Sequence, residues 1–480
     1  MGKKNQLAAS PKAKATVSSE EAWEEEKPKT VVVPPVVSLP KGKRPPELLR
    51  GFRDILPEEQ PSWQVLRNAV REMAEAYGFE RIDLPILEHE ELFVRTVGKQ
   101  TDIIEKEMYA FEDQGGERVV LRPEMTASAA RAYVNHGMLN LPQPVKLYYV
   151  GPNFRYERPQ AGRYRQHYQI GFEVFGSGES VMDAQLMVMV FHLLKSVGVE
   201  TVMRVNSIGT PAARQTYRTE LASYYRSHRS VLCEDCKRRL LKNPLRMLDC
   251  KAETCQPLKE EAPQMLDWLD EDSKTHFMQV LEFLDEASVS YTLDPYLVRG
   301  LDYYNRTVFE VWSAGDQGER SQSSLGGGGR YDGLVELLGG REGTPGCGVA
   351  LGMERVILAM REVQAPLPVR KIDAFFAQLG DAARRQGLRL FEECRQSGLV
   401  VREAFGKSAL KAQLELAAKQ EAPYALILGQ KEVMDGTIII RDMESGAQEI
   451  VNAGRVVSIL KKKLETRSIG TGKAVSHTAA

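Results

Sequence analysis

The chain has 480 residues, 42% of them hydrophobic and 27% charged, which is enough for two or three domains with sizeable cores. A formal charge of −1 excludes a uniformly basic nucleic-acid coat, although Lys and Arg confined to one face remain compatible with it. No apolar run reaches the roughly 20 residues a spanning helix needs, and "VVVPPVVSLP" is broken by Pro34 and Pro35, which excludes a membrane protein.

Residues 1–46 mix Lys, Glu, Pro, Ala and Ser with few large apolar groups, and are expected to form a disordered arm. The start lacks an apolar export segment and "SSEEAWEEEKPK" is too acidic for a transit peptide, so a cytoplasmic location is expected. Trp63, Leu66, Val70, Met73 and Tyr77 recur at helical spacing up to Gly78. "ERIDLPILE" alternates Ile82, Leu84 and Ile86 like a strand, and Pro85 inside it predicts an edge or interface strand. Between Val145 and Gly176 lies a hairpin. Its second arm puts Tyr168, Ile170, Phe172 and Val174 on one face, with His167, Gln169, Gly171 and Glu173 on the other. A helix is predicted over 180–198 and a charged, mostly helical insertion over about 210–290. Strand character resumes at Thr307, "SSLGGGGRYDG" follows, and Leu351, Glu354, Arg355, Leu358 and Met360 suggest a helix entered through glycines. From about 370 strands and helices alternate as in a compact α/β unit, with a loose tail expected after Arg467.

Four of the six cysteines cluster as Cys233-x2-Cys236 and Cys250-x4-Cys255 within the insertion. Two close pairs are compatible with a structural zinc site. The second pair is wider than the commonest knuckle, so reduced free thiols stand beside that reading.

No serine elbow, HExxH or P-loop appears. The sequence instead repeats arginine in ordered contexts: Arg122 in "LRPEMTAS", Arg155 in "NFRYERP", Arg299 in "LVRGLDYY" and Arg355 in "LGMERVI". Several fixed positive donors without a protein nucleophile suit phosphoryl or nucleotidyl transfer, where charge develops on phosphate oxygens.

The hairpin "FRYERPQAGRYRQHYQIGFEVFG" resembles motif 2 of the class II aminoacyl-tRNA synthetases, and "GVALGMERVIL" resembles their motif 3. "LRPEMTAS" together with "LVRGLDYYNRTVFEVW" resembles the histidyl-tRNA synthetase family in particular, over roughly residues 47–465. The resemblance implies an α+β fold: an antiparallel six-stranded catalytic sheet with flanking helices and a helical insertion over 47–368, then an anticodon-binding α/β domain over 369–466 and a flexible tail over 467–480. It implies a homodimer built through the Pro85 region, ATP with Mg2+, L-histidine and tRNA(His), and formation of histidyl-adenylate followed by transfer to tRNA.

Residue by residue, the resemblance assigns Arg155 to the α-phosphate and Arg355 to the γ-phosphate. Arg299 is assigned to the α-phosphate and carboxylate, where other class II enzymes rely on a metal ion. Glu124 and Thr126 with Gln169 would hold the α-amino group, and Met125 belongs to the same histidine site. Glu173 and Tyr304 would hold the imidazole, with Tyr303 shaping the pocket. Gln160, Arg163 and Arg165 in the motif 2 loop would meet the acceptor end of the tRNA; by chemistry, such arginines suit phosphates and base edges. Asp302 has no assignment beyond orienting neighbouring backbone or an arginine. Two alternatives remain: a synthetase-like regulatory paralogue, which would typically lack the α/β unit after 370, and a class II synthetase for threonine, proline or glycine, which would not be expected to carry "RGLDYY".

Overall fold

A computed structural model describes residues 46–98, 101–314, 324–367, 371–404, 406 and 409–470; the arm expected over 1–46 lies outside them except for its last residue, as does the tail from 471. The chain divides after Leu48, and every element below belongs to the unit from Leu49 onward. Helix Gln60–Ala76 carries Pro61 in its first turn, where a missing N–H costs nothing. Trp63, Leu66, Val70 and Ala74 follow at helical spacing and are fully buried, so the apolar stripe is the core face.

Among the described residues the main sheet has eight strands. Six run antiparallel in the spatial order Val145–Phe154, Gln166–Phe175, Gly346–Gly352, Ser324–Arg330, Asn305–Ser313 and Thr201–Ser207. The expected six-stranded sheet is thus extended by one short parallel strand at each edge, Glu80–Arg81 and Tyr291–Leu293. On one face Ile170, Phe172 and Val174 are buried in a core with helices Gln60–Ala76, Ser180–Ser196, Glu271–Glu286 and Met353–Glu362. The other face meets helix Thr126–Asn135 and the aromatic cluster of Tyr149, Tyr303, Tyr304 and Tyr331. The two layers are pinned at one end by a fully buried ion pair between Arg330, at the end of its strand, and Asp183 of helix Ser180–Ser196.

The four-glycine run is a central strand of this sheet. A Cβ on Gly326 or Gly328 would stand 2.2 Å from the Ala350 carbonyl oxygen or 2.0 Å from that of Gly348, and one on Gly327 would stand 2.7 Å from Arg299 Nη1. Glycine therefore permits close strand approach and leaves room for a cation above the sheet.

Other boundaries also differ from the sequence reading. The segment around Pro85 is not one strand: Glu80–Arg81 joins the main sheet and Leu87–His89 joins a separate three-stranded sheet. Between them the Leu84 and Pro85 carbonyls accept hydrogen bonds from Arg122, so the proline sits where its missing donor is not needed. The insertion is more compact than 210–290. Helix Glu271–Glu286 places Phe277, Val280 and Leu284 in the main core, while Tyr217, Leu221, Tyr225 and Cys236 form a core of the insertion's own. The motif 3 helix begins at Met353, with Leu351 still in the sheet.

Residues from Ala374 onward build a five-stranded mixed sheet in the order Val401–Glu403, Ala374–Gln378, Tyr424–Leu428, Thr437–Asp442, Gln448–Asn452. Its helices pack onto it through Ala383, Leu390, Cys394, Val456 and Leu460. The last helix, Val456–Gly470, continues past the expected boundary at 467. Among the described residues no helix is long and apolar enough to cross a membrane.

Candidate active site

The site lies on the sheet face that Gln169 and Glu173 share by alternation. Glu173 is buried and accepts three hydroxyl hydrogen bonds: from Tyr149 Oη at 2.6 Å, from Thr126 Oγ1 at 2.8 Å, and from Tyr331 Oη. Burial pushes its carboxyl up to about 7 despite these donors, with the nearby Glu124 charge acting in the same direction. Two strand glycines make the arrangement possible. A Cβ on Gly171 would lie 2.1 Å from the Tyr149 ring, and one on Gly348 would lie 1.9 Å from Glu173 Oε2.

Glu124 stands at the entry to helix Thr126–Asn135, where its carboxylate accepts the backbone N–H of Thr126 at 2.6 Å and of Ala127 at 2.9 Å. It therefore binds free donors of the helix N-terminus, and burial raises its pKa. Met125, just before the helix, is buried in the aromatic cluster. Gln169 Oε1 accepts from Asn153 Nδ2 at 2.6 Å across the hairpin. Tyr303 and Tyr304 are both buried, with ring centroids 4.7 Å apart, and each meets the Tyr331 ring edge-on.

Arg299 Nη1 donates to Glu310 Oε1 at 2.8 Å, Trp312 Nε1 donates to the other Glu310 oxygen at 3.1 Å, and the guanidinium carbon lies 5.5 Å from the Tyr304 ring centroid. Arg299 Nε is buried without a hydrogen-bond partner. Arg155 is held through Nε to the Pro123 carbonyl at 2.8 Å, and Arg355 through Nη1 to the Ser324 carbonyl at 2.5 Å. Burial lowers the pKa of Arg355, and Arg163 and Arg155 add to the effect while Glu310 and Glu157 oppose it, so Arg155, Arg299 and Arg355 share one electrostatic neighbourhood with Glu310. His167 faces the same region; burial and the Arg155 and Arg355 charges push it down to about 3, which keeps it neutral.

Arg122 is a structural brace: its guanidinium donates to the carbonyls of Pro152, Leu84 and Pro85. In the motif 2 loop Gln160 bridges to Arg163, and Arg163 pairs with Glu157 at 3.5 Å. Arg165 lies 3.6 Å over the Tyr156 ring and donates to the carbonyls of Glu157 and Arg50, contacts that hold the loop.

Sequence reasoning missed Tyr149, Tyr331, Asn153 and Glu310 as members of this face, while His167 lies on it as the alternation expected. Glu310 could have been found by alternation with Phe309 and Val311; Tyr149 and Tyr331 reach Glu173 only through sheet pairing that no local pattern reveals.

A family model described as histidyl-tRNA synthetase matches residues 51–209 and 233–356, and one described as an anticodon binding domain matches residues 373–463. The chain is 44% identical over 416 residues to a histidine–tRNA ligase of Desulforamulus reducens, covering 86% of this chain and 98% of that protein. It is 45% identical over 420 residues to one of Pelotomaculum thermopropionicum, covering 87% and 98% respectively. The apo histidyl-tRNA synthetase of S. aureus superposes with a TM-score of 0.72 at 34% identity, covering 86% of this chain and 99% of that one.

Proposed function

We infer from a chain that belongs to the histidyl-tRNA synthetase family that this protein is a histidine–tRNA ligase, a class II aminoacyl-tRNA synthetase, and we propose the following roles for its residues. The observation that carries the reading is Glu173, a buried carboxylate ringed by hydroxyls on the same sheet face as three fixed arginines.

In the first step an oxygen of the histidine carboxylate attacks the α-phosphorus of ATP, the bond to the β-phosphate oxygen breaks, and pyrophosphate leaves. Arg155 and Arg299 hold the α-phosphate oxygens, where negative charge gathers, and Arg299 also aligns the attacking carboxylate. The unpartnered Nε of Arg299 supports this role, since a buried cationic donor gains most when a ligand oxygen reaches it. Arg355 holds the γ-phosphate. Neutral His167 adds no positive charge that would retain pyrophosphate.

Glu173 accepts an imidazole N–H and Tyr304 completes the pairing to the ring, with Tyr303 and Met125 forming the wall. Glu124, Thr126 and Gln169 hold the α-amino group. A site whose own polar groups go unpaired with the wrong ligand discriminates by about 10⁴ or more. In the second step a terminal ribose hydroxyl of tRNA(His) attacks the acyl carbon and AMP leaves. Gln160, Arg163 and Arg165 meet the acceptor end, and the unit from Ala374 onward meets the anticodon, as the matched domain suggests.

ATP is used with Mg2+. The only grouping of three or more His, Cys, Asp or Glu side chains close enough for a metal among the described residues is the cysteine cluster. A hard cation therefore fits best on the triphosphate oxygens, with Glu310 the carboxylate on that face; bound there it would offset phosphate charge. A structural zinc ion belongs on Cys233, Cys236, Cys250 and Cys255. A homodimer through the Pro85 region is supported by Ile86 and Leu87, which stand 43% and 49% exposed. A cytoplasmic location is supported by six cysteines without disulfide partners.

ATP–pyrophosphate exchange with each of the twenty amino acids tests the reading. Exchange with histidine alone is expected; none at all would favour a regulatory paralogue.

A further inference from the structure

The core of the insertion packs Tyr217, Leu221, Tyr225, Leu232, Leu240 and Met247 beside the buried Cys236, Cys250 and Cys255. The four ligand atoms of Cys233, Cys236, Cys250 and Cys255 all lie within 4.8 Å of one another. Cys233 Sγ and Cys250 Sγ are 3.8 Å apart, too far for a disulfide. A tetrahedron with metal–sulfur bonds of about 2.3 Å has edges of about 3.8 Å. Backbone N–H groups already point at three of the sulfurs: Cys236 to Cys233 at 3.4 Å, Cys233 to Cys255 at 3.4 Å, and Ala252 to Cys250 at 3.5 Å. Such donors stabilise thiolates, and Cys233 also sits at the N-terminus of helix Glu234–Lys242, where negative charge is favoured.

The segment clamped by these cysteines reaches the histidine signature loop. Arg239 donates to the Arg246 carbonyl at 3.2 Å, and Arg246 Nη2 pairs with Asp102 at 3.2 Å. The Arg246 guanidinium also lies against Gly300, where a Cβ would stand 3.2 Å from Nη1. Lys242 pairs with Glu105 at 2.8 Å. Farther along the loop, Arg214 of the insertion donates to the Tyr304 carbonyl. Asp302 is fixed by its backbone N–H to the Val97 carbonyl, at 3.1 Å, and its carboxyl interacts with Arg214, Arg246 and Arg218.

We propose that Cys233, Cys236, Cys250 and Cys255 bind one zinc ion as four thiolates, and that this metal positions Arg246 to hold the loop from Arg299 to Tyr304 in its histidine-binding form. Four thiol protons are released to solvent as the ion binds. Arg246 acts as a positioning residue, through Asp102 and Gly300, and touches no substrate. The second half of the proposal rests on the ligase reading; the first half does not.

The test uses the full-length protein purified without chelator. Plasma mass spectrometry is expected to find about one zinc per chain, and cobalt exchange to give the intense visible bands of a tetrahedral cobalt thiolate. Cys236→Ser and Cys250→Ser should each lose the metal. Arg246→Ala should keep the zinc but raise KM for histidine about 5-fold or more while KM for ATP stays unchanged, the range of an ordinary intramolecular coupling. Wild-type protein without zinc, or a cobalt spectrum without thiolate character, overturns the site. Zinc present with unchanged histidine KM in Arg246→Ala overturns the coupling. If wild-type protein shows no histidine-dependent exchange, the ligase reading fails, and the zinc content still decides the site.

Discussion

Replacing Glu173 with glutamine separates what the carboxylate does for histidine from what it costs the fold. Oε1 accepts from Tyr149 and Thr126 and Oε2 from Tyr331, so an amide of the same shape keeps an oxygen for the first two and asks only the Tyr331 hydroxyl to turn. A hydrogen bond to a charged acceptor contributes about 1.5–3 kcal/mol, so Glu173→Gln should raise KM for histidine about 10- to 100-fold in ATP–pyrophosphate exchange. Stability should move the other way. Burial raises the Glu173 pKa from 4.5 to about 7, so its bound proton stabilises the fold fully below about 4.5, and that stabilisation is lost as the pH rises through about 7. Between about pH 5 and pH 8 the loss is about 2.5 kcal/mol. Glutamine cannot ionise, so the variant should gain about 2.5 kcal/mol over the wild type across that interval. Glu354, also raised to about 7 by burial, is present in both proteins and cancels. Denaturant unfolding at the two pH values, beside the exchange assay, decides the matter. An identical pH dependence in both proteins, or an unchanged histidine KM, would refute the reasoning.

Arg299→Ala should cut adenylation by about 10² or more, with far less effect on transfer from preformed adenylate; equal losses in the two steps would remove Arg299 from the first. Gly171→Ala places a methyl group against the Tyr149 ring, so KM for histidine should rise about 10-fold while KM for ATP holds, read in the same exchange assay. Asp183→Asn leaves the buried Arg330 guanidinium without its main counter-charge and should cost about 3–5 kcal/mol in chemical denaturation. If it costs under about 1 kcal/mol, the pair does not pin helix Ser180–Ser196 to the sheet.

The amphipathic stripe from Trp63 to Val70 and the alternation from Tyr168 to Val174 were legible because each depends on local geometry alone: 3.6 residues per helical turn and two per strand repeat. That alternation put Gln169 and Glu173 on one face before any pairing was considered, and the cysteine spacing singled out a cluster whose sulfurs converge. The tertiary structure alone decided which partners meet them. Tyr331 reaches Glu173 across 158 positions of sequence, and Asp183 reaches Arg330 across 147, because strand order is set by burying one shared face and not by chain order. The glycine run has no side-chain alternation to read, and its place as a strand is set by the neighbouring backbones that close in upon it. Arg122, Arg155 and Arg355 look alike in sequence. Burial and the carbonyls nearby make Arg122 a brace, and leave Arg155 and Arg355 on the face proposed to bind phosphates. Residue type fixes what chemistry a side chain can perform; which neighbour it performs it on depends on contacts that only the folded chain brings together.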